Sequence, residues 1–109
     1  MDYNVKSLTV FEKQVKRLLR KYPSLKANLL DLVRILKENP DYGTAIGRRC
    51  YKVRVAITSK GKGKSGGARV ITNFTVTDNT VYLLSIYDKS EKENLTNKEL
   101  TELLSYLPE

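Results

Sequence analysis

The stretch CYKVRVAIT, residues 50–58, decides the fold. Tyr51, Val53, Val55 and Ile57 alternate with Lys52, Arg54, Ala56 and Thr58. Successive side chains of a strand point to opposite faces, so this is a half-buried strand with Lys52 and Arg54 neighbouring each other on its wet side. A slip of one residue would bury both cations, which pins the register. Downstream, residues 59–67 (SKGKGKSGG) are basic and glycine-rich and read as a loop. Residues 68–78 form a second strand, Asp78–Asn79 a hairpin turn and residues 80–87 a third strand, which together predict an antiparallel meander.

Upstream the period changes. Residues 2–8 can form a short strand in which Tyr3 and Val5 alternate with polar neighbours. Thr9, with Glu12 three residues on, has the spacing of a capping box. Phe11, Val15, Leu18, Leu19 and Tyr22 then recur at helical spacing, with Lys13, Lys16, Arg17, Arg20 and Lys21 on the other face. Pro23 ends that helix, Ser24 caps the next, and Leu25, Leu29, Leu32, Val33 and Leu36 give it an apolar stripe up to Asn39–Pro40. The tight link makes an antiparallel helical hairpin. After a turn at Asp41–Tyr42–Gly43 the chain is irregular to Arg49. A second capping box, Thr96 with Glu99, opens a last helix carrying Leu100, Leu103, Leu104 and Leu107. The expected fold is α+β, a small antiparallel sheet packed on an N-terminal helical hairpin in the order β-α-α-β-β-β-α, one domain over residues 1–109.

Charge narrows the function. Among 109 residues, 20 are Lys or Arg and 12 are Asp or Glu, a net of +8. The excess is concentrated: residues 42–77 carry Arg48, Arg49, Lys52, Arg54, Lys60, Lys62, Lys64 and Arg69 and no carboxylate. Such a stretch repels itself, and a polyanionic partner relieves the repulsion. A single cysteine excludes an internal disulfide, and with no histidine the residues offer no zinc site; no metal or other cofactor is expected. Without histidine, acid–base chemistry falls to Tyr, Lys, Arg or carboxylates. No apolar run reaches the roughly 18 residues of a membrane span, and MDYNVKSLTV has no signal-peptide core, so the expected location is the cytoplasm.

Gly63–Lys64–Ser65 resembles the end of a nucleotide-binding phosphate loop, but position 58 is Thr58 where that loop needs glycine, and a strand follows where it needs a helix. Its lysines suit a clamp on nucleic-acid phosphates instead. Arg69, on the strand beside Lys52 and Arg54, would place three cations on one sheet surface, an arrangement that stabilises charge growing on phosphoryl oxygens. Tyr87, Asp88 and Lys89 close the third strand. Tyr87 there is either core or site-facing. Cys50 reads as a small buried residue, with no histidine to activate it.

The segments Cys50–Tyr51–Lys52–Val53–Arg54, Gly67–Ala68–Arg69–Val70–Ile71 and YLLSIYDK (residues 82–89) resemble the RelE/ParE toxin superfamily. The loop and strand SKGKGKSGGARVI resembles its RelE-like, HigB-type branch. This resemblance implies the toxin of a type II toxin–antitoxin pair: a ribosome-dependent endoribonuclease (mRNA interferase) that enters the A site, cuts translated mRNA by attack of a 2′-OH on the adjacent phosphate, and inhibits translation. It implies a cognate antitoxin, the ribosome with its rRNA, and mRNA as partners. Carried over by position, Lys52, Arg54, Arg69 and Lys89 match catalytic cations; Arg48, Arg49, Lys60, Lys62 and Lys64 of the basic stretch are the candidate RNA contacts. The tyrosine that relatives carry in or near the last helix is missing from residues 90–100, which leaves Lys52 or Tyr87 to take the 2′-OH proton. A gyrase-poisoning ParE-like toxin and a catalytically degenerate RNA- or ribosome-binding module are the alternatives on the same fold.

Overall fold

The alternating stretch forms a strand over Cys50–Val55, one place from the edge of a five-stranded sheet. The computed structural model describes residues 2–61, 63 and 66–108. In chain order the elements are β1 (Asn4–Ser7), α1 (Thr9–Lys21), α2 (Leu25–Glu38), β2 (Thr44–Gly47), β3 (Cys50–Val55), β4 (Ala68–Thr75), β5 (Thr80–Asp88) and α3 (Asn97–Leu104). Across the sheet the strands run β1-β5-β4-β3-β2. The helical hairpin covers one face, where Leu18, Leu25, Leu32 and Leu36 pack on Val53, Val55, Val70, Val81 and Ile86. On the other face α3 lays Leu100 and Leu103 on Cys50, Ile71, Tyr82, Leu84 and Tyr87.

The sheet departs from the expected antiparallel one in two places. β1 pairs parallel with β5, Asn4 opposite Thr80 through Ser7 opposite Leu83, so the sheet is mixed. A strand separated from its partner by two helices and three further strands is free to enter in either direction, and its length of four residues carries no directional signal. β2 lies within the stretch read as irregular; all four of its residues are exposed, so no apolar alternation marks it. The first cap also differs. Leu8 is the N-cap of α1, Thr9 already lies in the helix, and Glu12 accepts from Ser7 Oγ at 2.6 Å. At α3 both halves of the capping box form: Glu99 N–H donates to Thr96 Oγ1 at 3.1 Å and Thr96 N–H to Glu99 Oε1 at 2.9 Å.

β2 and β3 are joined through Arg48 and Arg49, with φ of 58° and 59°. Two left-handed central residues define a hairpin turn that normally takes Asn-Gly. The turn is held from β4: Asn73 donates to Arg48 O at 3.3 Å, and Phe74 N–H to Arg49 O at 3.0 Å. Because a side chain at positive φ costs about 1–2 kcal/mol and glycine gives back part of that in chain entropy, Arg49→Gly is expected to stabilise the fold by about 0.5–1 kcal/mol. Thermal unfolding reads this as a Tm higher by about 4 °C.

A second glycine argument concerns close approach. A Cβ on Gly67 would stand 2.1 Å from Val55 O and 3.0 Å from Ala56 Cα, both backbone atoms of the neighbouring strand and its exit. Gly67→Ala is therefore expected to destabilise by about 3 kcal/mol, at the upper end of overpacking costs, through displacement of the start of β4. Denaturant unfolding measures it directly.

Candidate functional site

β3, β4 and β5 pair antiparallel, and their register sets the site. Arg54 lies opposite Arg69, and Arg69 opposite Tyr87. The three side chains form one row across the middle of the sheet, with neighbouring Cβ atoms about 5 Å apart. Lys52 stands two residues along β3 on the same face, opposite Ile71.

Strict alternation along β5 would put Tyr87 on the face of Val81 and Leu83, under the helical hairpin. Instead, Ile71 pairs with Ser85 and Thr72 with Leu83, so Leu84 is an extra residue in the ladder. This bulge reverses the remainder of the strand: Ile86 joins the hairpin-side core and Tyr87 the face of α3. The extra residue thus buries Tyr87 in the core beneath α3, on the same face as Arg69. On the outer side of β5, beyond the end of β1, Gln14 of α1 accepts from Ile86 N–H at 2.9 Å and from Ser85 Oγ at 3.1 Å, taking the place of a neighbouring strand.

Arg69 is 3% exposed. Burial, then the Arg54 guanidinium, lower its affinity for its proton, while Tyr87 acts in the opposite sense. One of its Nη atoms donates to Ala68 O at 3.1 Å. Tyr87 is 6% exposed, and its Oη has no hydrogen-bond partner among the described residues. Burial raises its pKa above that of an ordinary phenol, against the pull of the Arg69 and Lys92 charges. Tyr87 is therefore a proton holder at neutral pH.

Beside this row a cavity of about 90 Å³ opens between β2, β3, β4, β5 and the start of α3, lined by Lys52, Tyr87, Ile46, Asn94, Leu95 and Asn97 among others. Ile46 reaches it from the irregular pairing between Ala45 and Gly47, and is 37% exposed.

The other expected site residues scatter. Lys89 is exposed past the end of β5, its amide donating to Gly67 O at 3.1 Å. Arg48 Nη1 donates to Thr101 Oγ1 of α3 at 2.8 Å, while Arg49 is exposed beside it. Lys60 turns to the hairpin side, where it pairs with Asp88 at 2.9 Å and lies 5.5 Å from the Tyr22 ring centroid. Lys62 and Lys64 lie outside the described residues. Ile46, Asn94 and Asn97 carry no sequence signal for this site; Ile46 flanks it through the β2–β3 pairing, and Asn94 and Asn97 because the start of α3 folds back over the sheet. Lys92 pairs with Glu99, and this contact together with the Thr96 amide lowers the Glu99 pKa to about 2. Among the described residues there is no cluster of His, Cys, Asp and Glu fit to hold a metal, and no helix long and apolar enough to cross a membrane.

This architecture, a helical hairpin and a short C-terminal helix on opposite faces of a mixed sheet, is that of small bacterial toxins. It matches the E. coli toxin RelE carrying two arginine-to-alanine substitutions in its free state, with a TM-score of 0.61 at 15% identity over 99% of this chain and 100% of that one. The isolated E. coli RelE toxin matches with a TM-score of 0.58 at 15% identity, covering 96% and 99%. A metal-bound toxin from Helicobacter pylori matches at 0.53 and 16%, covering 83% and 98%. Residues 9–107 match the sequence model of the RelE toxin of the RelE/RelB toxin–antitoxin system, and the chain belongs to that toxin family. Its partner class is therefore an antitoxin.

Proposed function

We propose that this protein is a ribosome-dependent mRNA endonuclease that acts in the cytoplasm and is held inactive by its antitoxin. The observation that carries the reading is the row Arg54–Arg69–Tyr87 with Lys52 alongside: cations and a protonated phenol on one face, bordering a cavity. In the reaction, Lys52 in its neutral amine form takes the proton of a ribose 2′-OH, and O2′ bonds to the adjacent phosphorus. Arg69 and Arg54 neutralise the charge growing on the non-bridging oxygens. The P–O5′ bond breaks and Tyr87 delivers its proton to O5′, leaving a 2′,3′-cyclic phosphate and a 5′-hydroxyl. Lys89, Arg48 and Arg49, with Lys62 and Lys64, draw in phosphate backbone, an attraction that weakens with salt. Exposed Lys13, Lys16, Arg20 and Lys21 on α1 extend the positive surface toward rRNA. The cationic row supports phosphate cleavage over gyrase poisoning, which makes no use of it.

The test is chemical. The 3′ fragments must accept label from polynucleotide kinase without prior phosphatase treatment, as 5′-hydroxyl ends do; 5′-phosphate ends would contradict the mechanism. Tyr87→Phe is expected to slow single-turnover cleavage by about 10²-fold and Lys52→Ala by at least as much. An mRNA with sulfur in place of the scissile O5′ has a leaving group that needs no proton. It should rescue Tyr87→Phe but not Lys52→Ala, and the reverse pattern would exchange the two roles.

A further inference from the structure

The face that Tyr87 occupies depends on the extra residue in β5, and the side chain that holds the bulged segment comes from α1. With Thr72 fixed opposite Leu83, a regular ladder would set Arg69 opposite Ile86 and Ala68 opposite Tyr87, turning the phenol under the helical hairpin. The observed register sets Arg69 opposite Tyr87 instead. A bulge disrupts the ladder and leaves backbone groups that need other partners. On the outer edge of β5 the pairing with β1 stops at Leu83, whose carbonyl takes a last bond from Leu8 N–H at 3.0 Å. Past that point the partner is Gln14: its Oε1 receives Ile86 N–H at 2.9 Å and Ser85 Oγ at 3.1 Å. Both donors belong to the bulged segment, and both residues are buried, so loss of the acceptor would leave a buried N–H unsatisfied. Gln14 is half-buried on α1, three residues after Phe11 and four before Leu18, both in the core. A carboxamide at that place is explained by the two bonds it accepts.

We propose that Gln14 is a positioning residue for cleavage: its carboxamide locks the β5 bulge and so fixes Tyr87 on the face of Arg69. The proposal rests on the nuclease reading, in which Tyr87 gives its proton to O5′, and adds to it the group that keeps the acid there. Gln14 touches neither RNA nor the reacting atoms. Its effect is confined to the step that needs the Tyr87 proton, because Arg54 and Arg69 face each other across β3 and β4 whatever the register of β5.

The experiment compares Gln14→Met, close in shape but without the accepting oxygen, with Gln14→Glu, which retains it. On ordinary mRNA, Gln14→Met is expected to cut about tenfold slower in single turnover, part of what a general acid contributes, and Gln14→Glu to restore the rate. On mRNA with sulfur at the scissile O5′, where no proton is needed, Gln14→Met should match wild type. Gln14→Met/Tyr87→Phe should be no slower than Tyr87→Phe alone. Equal slowing on both substrates, or additive losses in the double variant, would make Gln14 a merely structural residue and overturn the proposal. If Gln14→Met does not fold, Gln14→Ala, which admits water to the vacated place, takes the same comparison, and unfolding of both overturns it too. NMR reads the placement without ribosome or RNA. In Gln14→Met the Ile86 amide should exchange with solvent about tenfold faster or more, and the nuclear Overhauser effects between the Tyr87 ring and the Leu100 methyls should weaken. Unchanged exchange and unchanged Tyr87–Leu100 contacts would sink the idea. A failed nuclease reading shows instead as intact mRNA with the wild-type protein, and the NMR comparison then decides by itself whether Gln14 places Tyr87.

Discussion

Arg69→Met is expected to lower mRNA cleavage by about 10²–10³-fold, the cost of removing one preorganised donor to a developing oxyanion. The folded protein should survive the change. Arg69 is buried directly opposite Arg54, and burial and that neighbour both disfavour its charge. Methionine fills much of the same volume without the charge, so the variant is expected to stay folded at the assay temperature, with a Tm lower by about 4 °C. Arg69→Lys keeps the charge but loses the planar fork and should fall between wild type and Met. Single-turnover cleavage and thermal unfolding of the same preparations read both effects. Wild-type cleavage by Arg69→Met would remove Arg69 from the site, and an unfolded variant would make its role structural.

The second large effect concerns Asp88, where stability is at stake. Its carboxylate is fully buried, and it accepts from Lys60 Nζ at 2.9 Å, Tyr22 Oη at 3.0 Å, Ser90 N–H at 2.9 Å and Ser90 Oγ at 2.8 Å. Burial opposes its ionisation, but Lys60, Ser90 and Tyr22 together outweigh it and hold the carboxyl well below the usual carboxylate range. Lys60 is itself only 12% exposed, so Asp88→Ala leaves a nearly buried ammonium and a phenol without their acceptor. The expected cost is about 3–5 kcal/mol, and the Tm falls by some 15 °C or more. Since the folded pKa is depressed, this stabilisation is fully present above the unfolded value of about 3.9 and is lost as pH falls below it. The Tm gap between wild type and Asp88→Asn should therefore narrow only in acid. A gap independent of pH down to strongly acidic conditions would show that Asp88 acts through packing instead of charge. Lys60→Met, which removes the other partner while leaving β5 intact, gives the pairwise coupling in a double-mutant cycle.

Periodicity carried most of the architecture. The Cys50–Val55 alternation, the two helical stripes upstream and the Thr96–Glu99 capping box each describe a contact that exists, because local patterning and tertiary packing agree there. Lys52, Arg54 and Arg69 share a face for the same reason. β2 escaped because a strand exposed throughout has no apolar period, and the parallel entry of β1 because pairing direction leaves no trace in four residues. Tyr87 shares the face of Arg69 only through the extra residue at Leu84, and a bulge in a mostly apolar run such as VYLLSI looks like any other alternation. Lys60 belongs by charge to the basic loop but by contact to Asp88, a pairing 28 residues apart along the chain that composition cannot show. The cavity is the least legible part, since Ile46, Asn94 and Asn97 meet there only after both hairpins and α3 are in place.

Primer extension on one mRNA in a purified translation reaction tests the central claim most directly, with wild type and Arg69→Met compared in the presence and absence of ribosomes. The account predicts cuts in register with codons that appear only with ribosomes and wild-type toxin, and that disappear on addition of the antitoxin. Intact mRNA with undiminished protein synthesis, or cutting that persists in Arg69→Met, would contradict it.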